Sequence, residues 1–189
     1  MHALLISAGL VALAEIGDRT QILSILLAAR YRKPWPILAG ILLATIATQL
    51  LAVLVGRWLG AFLHGPWMKW ILVVLFFGFA VWMLIPEKLD EDDEPKEVGH
   101  GSVFLTTLVS FFMAEMGDKT QIVAAALGAR FLVVIPVTVG ATLGMMIANT
   151  PAVFIGERAA TRIPVKLMRY LAAAALVAQG LWTLFAPAG

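Results

Sequence analysis

The chain of 189 residues contains no cysteine, which excludes a disulfide scaffold, a thiolate metal site, an iron–sulfur cluster and a cysteine nucleophile together. Histidine is scarce too: His2, His64 and His100 all fall at ends or in connections. The imidazole ligands that zinc and copper favour are therefore missing from the apolar stretches. Charge is sparse, at 14% of residues, where ordinary soluble domains carry about a quarter. A soluble globular enzyme does not fit these figures. What abounds is apolar surface, 61% of residues with a mean hydropathy of +0.91. A spanning helix needs about 20 apolar residues to cross about 30 Å of hydrocarbon. The chain has room for about six such helices with short connections, and none for an extramembrane domain.

Apolar stretches run over roughly 3–29, 36–56, 67–86, 102–129, 132–155 and 165–186. The expectation is an all-α polytopic membrane protein with six spans. Trp35, Trp58, Trp67 and Trp70 stand near span ends as interface anchors. The longest gap, Glu87 to His100, holds seven of the twelve acidic residues. It reads as a solvated linker between two halves, in preference to a metal sensor. The connections 1–2, 3–4 and 5–6 carry nine basic residues, Arg30, Arg32, Lys33, Lys88, Lys96, Arg158, Arg162, Lys166 and Arg169. The opposite side carries three, Arg57, Lys69 and Arg130. That bias places both termini outside and the acidic linker in the cytoplasm. Ala12-Leu13-Ala14 before Glu15 has the look of a signal-peptidase site, but no basic segment precedes it and the Ala-Glu junction recurs at Ala114-Glu115. Residues 1–29 are read as a retained first span.

Laid over itself at an offset of 100 residues, the chain matches Ala14-Glu15-Ile16-Gly17-Asp18-Arg19-Thr20-Gln21-Ile22 to Ala114-Glu115-Met116-Gly117-Asp118-Lys119-Thr120-Gln121-Ile122, with seven identities in nine positions. The register continues through Arg30 over Arg130, Pro36 over Pro136, Gly40 over Gly140 and Gly56 over Gly156. A three-helix unit has been duplicated: repeat 1 over 1–86, the acidic linker over 87–101, and repeat 2 over 102–189. An odd number of spans per unit turns the second copy upside down. Inverted repeats of this kind build many secondary transporters, with the substrate between the two halves near the midplane.

On an unbroken helix Glu15 and Asp18 project from one face about 60° apart, with Gln21 continuing it, and Glu115, Asp118 and Gln121 repeat the pattern. A carboxylate at the centre of a membrane costs at least about 2.5 kcal/mol, so four of them require a function. Gly17 and Gly117 predict a helix broken or bent at each motif, with backbone carbonyls as further ligands. Thr48 and Gln49 in one half, and Asn149 and Thr150 before Pro151 in the other, fall at matching positions and are candidates to complete the site. Thr20 and Thr120 point away from the acids on a regular helix, so ligation and packing stand level for them. Arg19 and Lys119, four residues after Glu15 and Glu115, could make each motif a self-neutralising ion pair. One cation cannot balance two acids, however, and the two motifs sum to −2, the complement of one divalent cation. Carboxylate, amide and carbonyl oxygens suit Ca²⁺, Mg²⁺ or Mn²⁺. A thioether from Met113 or Met116 would favour Mn²⁺, although packing is the commoner role of methionine in a span.

Two copies of Glu-x-Gly-Asp-[Lys/Arg]-Thr in a six-span chain with a central acidic loop resemble the Gdt-type cation/proton antiporter family, which includes bacterial manganese exporters and eukaryotic Golgi manganese/calcium transporters. The resemblance spans essentially the whole chain. It implies exchange of Mn²⁺ or Ca²⁺ for protons, with Glu15, Asp18, Glu115 and Asp118 as metal ligands. The short N-terminus favours a bacterial cell-membrane exporter over the eukaryotic members. The expected partners are a divalent metal, protons and the lipid bilayer. No cofactor, nucleic-acid partner or enzymatic activity is expected, and the sequence sets no oligomeric state. Two other classes compete: an exporter of small organic cations using the same acids, and an intramembrane aspartyl protease pairing Asp18 with Asp118.

Overall fold

The structure is a computed structural model and describes residues 1–62, 66–85, 102–155 and 165–185. The acidic linker lies outside the described residues, as do His64, His100, Arg158 and Arg162. Eight helices are described: α1 His2–Glu15, α2 Arg19–Tyr31, α3 Pro34–Phe62, α4 Pro66–Met83, α5 Val103–Glu115, α6 Lys119–Phe131, α7 Val134–Ile155 and α8 Val165–Phe185. The chain is all-helical where it is described. Two stretches, Pro34–Phe62 in α3 and Val134–Phe154 in α7, are long and apolar enough to cross a membrane on their own.

The first and fourth apolar stretches each fold as two helices, α1 with α2 and α5 with α6, and the motif sequence dictates the break. Glu15 and Glu115 end their helices, and Ile16 and Met116 leave helical geometry at ψ 115. Gly17 and Gly117 then take φ +82 and +83, a conformation that L side chains resist. Asp18 and Asp118 stand at the N-caps of α2 and α6, the position at which aspartate is among the preferred residues. The Asp118 side chain accepts from the Thr120 N–H at 3.3 Å. In each half the Asp N–H donates to the Glu carbonyl at 3.1 Å, closing the turn. The helix-face spacing expected of an unbroken helix therefore does not hold. It is replaced by three non-helical residues that turn the acids by the capping geometry. Both second helices end alike: Arg32 and Leu132 adopt the left-handed conformation and donate to Ala28 and Gly128 carbonyls at 3.0 Å.

Packing is reciprocal between the repeats. Helix α1 lies on α7 as α5 lies on α3, α2 meets α7 as α6 meets α3, and α3 crosses α7 at the centre. A Cβ on Gly40 would come within 2.8 Å of Thr107 Cβ, and one on Gly140 within 3.0 Å of Ser7 Cβ. The two contacts interchange under the offset of 100. Gly56 approaches the Ala125 carbonyl so closely that any Cβ would collide with it. Small residues thus bring backbones into contact, the usual means of joining helices where lipid supplies no hydrophobic drive.

One apolar core gathers Val11, Phe76, Leu127, Met145 and Leu176, and a second Leu23, Leu27, Ile37, Ile41 and Phe111. The outer surface is apolar as well: Trp35, Phe62, Trp67, Ile135 and Phe185 are all more than 70% exposed. Polar residues collect inside, among them Glu15, Asp18, Thr48, Gln49, Glu115, Asp118 and Asn149. A polar interior beneath an apolar exterior suits lipid as solvent and not water.

Candidate functional site

Each broken helix delivers its glutamate to an amide of the opposite repeat. Asn149 Nδ2 donates to Glu15 Oε1 at 3.1 Å, and Gln49 Nε2 donates to Glu115 Oε1 at 3.1 Å. Gln49 and Asn149 occupy matching positions in α3 and α7, so these bonds also interchange under the repeat. Both amides converge on Met145, Asn149 through its carbonyl at 3.1 Å and Gln49 through its Sδ at 3.2 Å. Both glutamates are fully buried.

The threonines depart from expectation. Thr20 Oγ1 donates to Glu15 Oε1, and Thr120 Oγ1 to Glu115 Oε1 at 2.8 Å, with Asp118 Oδ2 at 3.1 Å. On a regular helix these hydroxyls would face away; unwinding of the three residues before α2 and α6 swings them back over the acids. The same break corrects the expected i,i+4 geometry of Glu15 with Arg19, because the two now stand on different helices. Arg19 reaches across the repeats to Asp118, at 3.2 Å between Nη2 and Oδ1. Lys119 is buried with its Nζ 5.9 Å from the Trp82 ring centre.

The glutamines serve the breaks themselves. Gln21 Oε1 accepts from the Gly17 N–H and Gln121 Oε1 from the Gly117 N–H, both at 2.8 Å. Their amide nitrogens reach the opposite repeat, at the Ala148 carbonyl (3.0 Å) and the Thr48 carbonyl (3.5 Å). Thr48 turns its hydroxyl to the Thr45 carbonyl of its own helix at 3.2 Å. Thr150 is half-buried, one residue past Asn149, and no bond from it to the carboxylates is seen among the described residues. Met113 and Met116 are half exposed, so the sulfur facing the acid network belongs to Met145 instead. Sequence reasoning missed Met145 and also Ser24, whose Oγ meets Asn149 Oδ1 at 2.7 Å. A signal for Ser24 existed: it stands over Ala124 in the repeat alignment, a polar residue against an apolar one in an otherwise apolar stretch.

Among the described residues, no three carboxylates or histidines stand close enough together to hold a metal by themselves. Oxygen from the amides is then needed, and the donor set supplies it. Glu115 Oε2 and Gln49 Oε1 are both buried, and neither accepts a hydrogen bond among the described residues. Buried acceptors left without donors are costly. A hard cation is the partner that two such oxygens fit.

A helical bundle with an apolar exterior, and with buried carboxylates on paired broken helices, has the layout of a membrane ion transporter. Comparison with known proteins gives the family. The profile of the GDT1 divalent cation/proton antiporter family matches residues 3–91 and 103–188, and the chain belongs to that family. It is 47% identical over 186 residues to a Vibrio cholerae protein named "Putative manganese exporter", covering 98% of this chain and 92% of that one. A Synechocystis GDT1-like protein is 30% identical over 176 residues, covering 83% of this chain and 84% of that protein. A rice GDT1-like protein 4 is 29% identical over 181 residues, 83% of this chain and 64% of its own length. No solved structure matches the chain.

Proposed function

We propose that this protein exports a divalent cation, Mn²⁺ before Ca²⁺, from the cell in exchange for protons. The substrate lies between the repeats, held by Glu15, Asp18, Glu115 and Asp118 together with amide oxygen. The observation that carries the reading is the pair of buried oxygens without donors, Glu115 Oε2 and Gln49 Oε1, on opposite repeats. The similarity to a protein named as a manganese exporter supports Mn²⁺ as the first candidate. The membrane arrangement that goes with it is six spans in two inverted repeats in the cell (inner) membrane, with both termini outside and the linker cytoplasmic.

Exporting a divalent cation against about 100 mV, negative inside, costs about 4.6 kcal/mol at about 2.3 kcal/mol per charge. Entry of two protons cancels that voltage term, and the four motif carboxylates are enough to carry them when the metal leaves. A protease reading asks Asp18 and Asp118 to share a proton, whereas the oxygens of Asp118 are directed to Arg19 and Thr120.

The test is flux into proteoliposomes. Mn²⁺ movement should follow an imposed pH gradient, and Asp18→Asn or Asp118→Asn should abolish it. Flux indifferent to the gradient would remove the antiport claim, and unchanged flux in both variants would remove the site. Competition among Mn²⁺, Ca²⁺ and Mg²⁺ ranks the substrates.

A further inference from the structure

The two halves of the acid network are related by the repeat, yet they are chemically unequal at one position. In the Glu15 half, Asn149 is fully committed. Its Nδ2 donates to Glu15 and to the Met145 carbonyl, and its Oδ1 faces the Ser24 hydroxyl at 2.7 Å. Ser24 is itself fully buried and also within 3.1 Å of the Thr20 carbonyl. In the Glu115 half, the residue matching Ser24 is Ala124, also fully buried. No hydroxyl stands there, and Gln49 Oε1 accepts nothing among the described residues. Gln49 Nε2 is meanwhile fixed on Glu115 and Met145. When Glu115 is ionised, as it is in holding a cation, it has no proton to give, so the amide turns its nitrogen to Glu115 and its oxygen away.

Resting on the transport reading above, we propose that the cation is ligated asymmetrically. Glu115 Oε2 and Gln49 Oε1 supply the first oxygens, and the Ser24/Ala124 difference sets this preference by engaging the amide oxygen of one half and leaving that of the other open. Ser24 is a positioning residue: it acts on the ion through Asn149. A buried amide oxygen that already accepts a short hydrogen bond is a poorer ligand, because ligation then competes with that bond. Asn149 accordingly serves as a donor that holds Glu15, and Gln49 serves as a ligand.

Direct binding of Mn²⁺ to the full-length protein in nanodiscs, followed by loss of the free-ion electron paramagnetic resonance signal, tests this without reference to transport. Ala124→Ser restores a hydroxyl at the position that matches Ser24, where repeat symmetry would offer it to Gln49 Oε1, and should weaken binding about tenfold, the order of one hydrogen bond. Ser24→Ala frees Asn149 Oδ1 and should shift affinity the opposite way, tightening it about threefold. Opposite shifts support the assignment. Equal weakening by both variants, or no effect of Ala124→Ser in a protein that keeps the wild-type unfolding temperature, overturns it. Should Ala124→Ser fail to fold, Gln49→Leu and Asn149→Leu carry the comparison: Gln49→Leu should lose at least tenfold more affinity than Asn149→Leu, and equal losses overturn the assignment. Wild-type protein that binds neither Mn²⁺ nor Ca²⁺ refutes the transport reading itself. Wild-type binding with the wrong variant pattern refutes the asymmetry alone.

Discussion

Arg19 of the first repeat and Asp118 of the second form an ion pair at 3.2 Å, with Asp118 almost wholly buried and Arg19 partly open. The pair joins the start of α2 to the break before α6, so it ties together the two motifs it belongs to. Removing one partner strands the other charge indoors, which costs about 3–5 kcal/mol for fully buried pairs. With Arg19 partly exposed, Arg19→Met should cost about 2–3 kcal/mol, read as a lower unfolding temperature in detergent. Adding Asp118→Asn should restore part of that loss. A double variant whose loss equals the sum of the single losses would show that the pair does not couple the repeats.

Gly117 has φ +83, and a Cβ added there would meet nothing within 4 Å. Any penalty for Gly117→Ala is thus conformational, about 1–2 kcal/mol for a left-handed alanine. Gly17→Ala, at φ +82, should cost a similar amount. Gly78→Ala, in the interior of α4 with open space around it, should be neutral or gain up to about 1 kcal/mol from helix propensity. Equal unfolding temperatures for all three variants would contradict the strained turn.

The Thr120 hydroxyl stands between Glu115 Oε1 at 2.8 Å and Asp118 Oδ2 at 3.1 Å, and its one proton serves one carboxylate at a time. Thr120→Val leaves the shape and removes that proton, so the acids are held less firmly. The apparent KM for Mn²⁺ should rise about tenfold, the order of one charge-assisted hydrogen bond. Thr120→Ser should recover most of the loss in the same flux assay. Failure of serine to rescue would mean that the methyl group, and not the hydroxyl, matters.

The acidic run from Asp90 to Glu94 reads as solvated connection. Replacing it with a neutral spacer of the same length should leave Mn²⁺ flux within about twofold of wild type, as a plain connection requires. A shift in the metal concentration for half-maximal flux would instead give the linker a sensing role.

Much of this was legible in the sequence, and for physical reasons. The helices follow from apolar run length, the breaks from Gly17 and Gly117 beside the acids, and the polar partners in α3 and α7 from matching repeat positions. The direction of the side chains was not legible. Periodicity assumes that a helix continues, and three unwound residues are enough to turn Thr20 and Thr120 from outward to inward. Helical spacing pairs Arg19 with Glu15, yet Arg19 also reaches Asp118, 99 positions away, across a contact that only tertiary packing creates. Met145 shows the same limit. In sequence it is one more apolar residue of a span, and only the crossing of α3 with α7 sets its sulfur on Gln49.

Gly40 resting on Thr107, and Gly140 on Ser7, means that each half completes its interior with small residues of the other half. The packing of either half therefore depends on the other. A substitution in one copy alters surroundings that belong to the other. Divergence after such a duplication is therefore felt across the boundary between the copies, as where the Ser24 hydroxyl of one half meets Asn149 of the other.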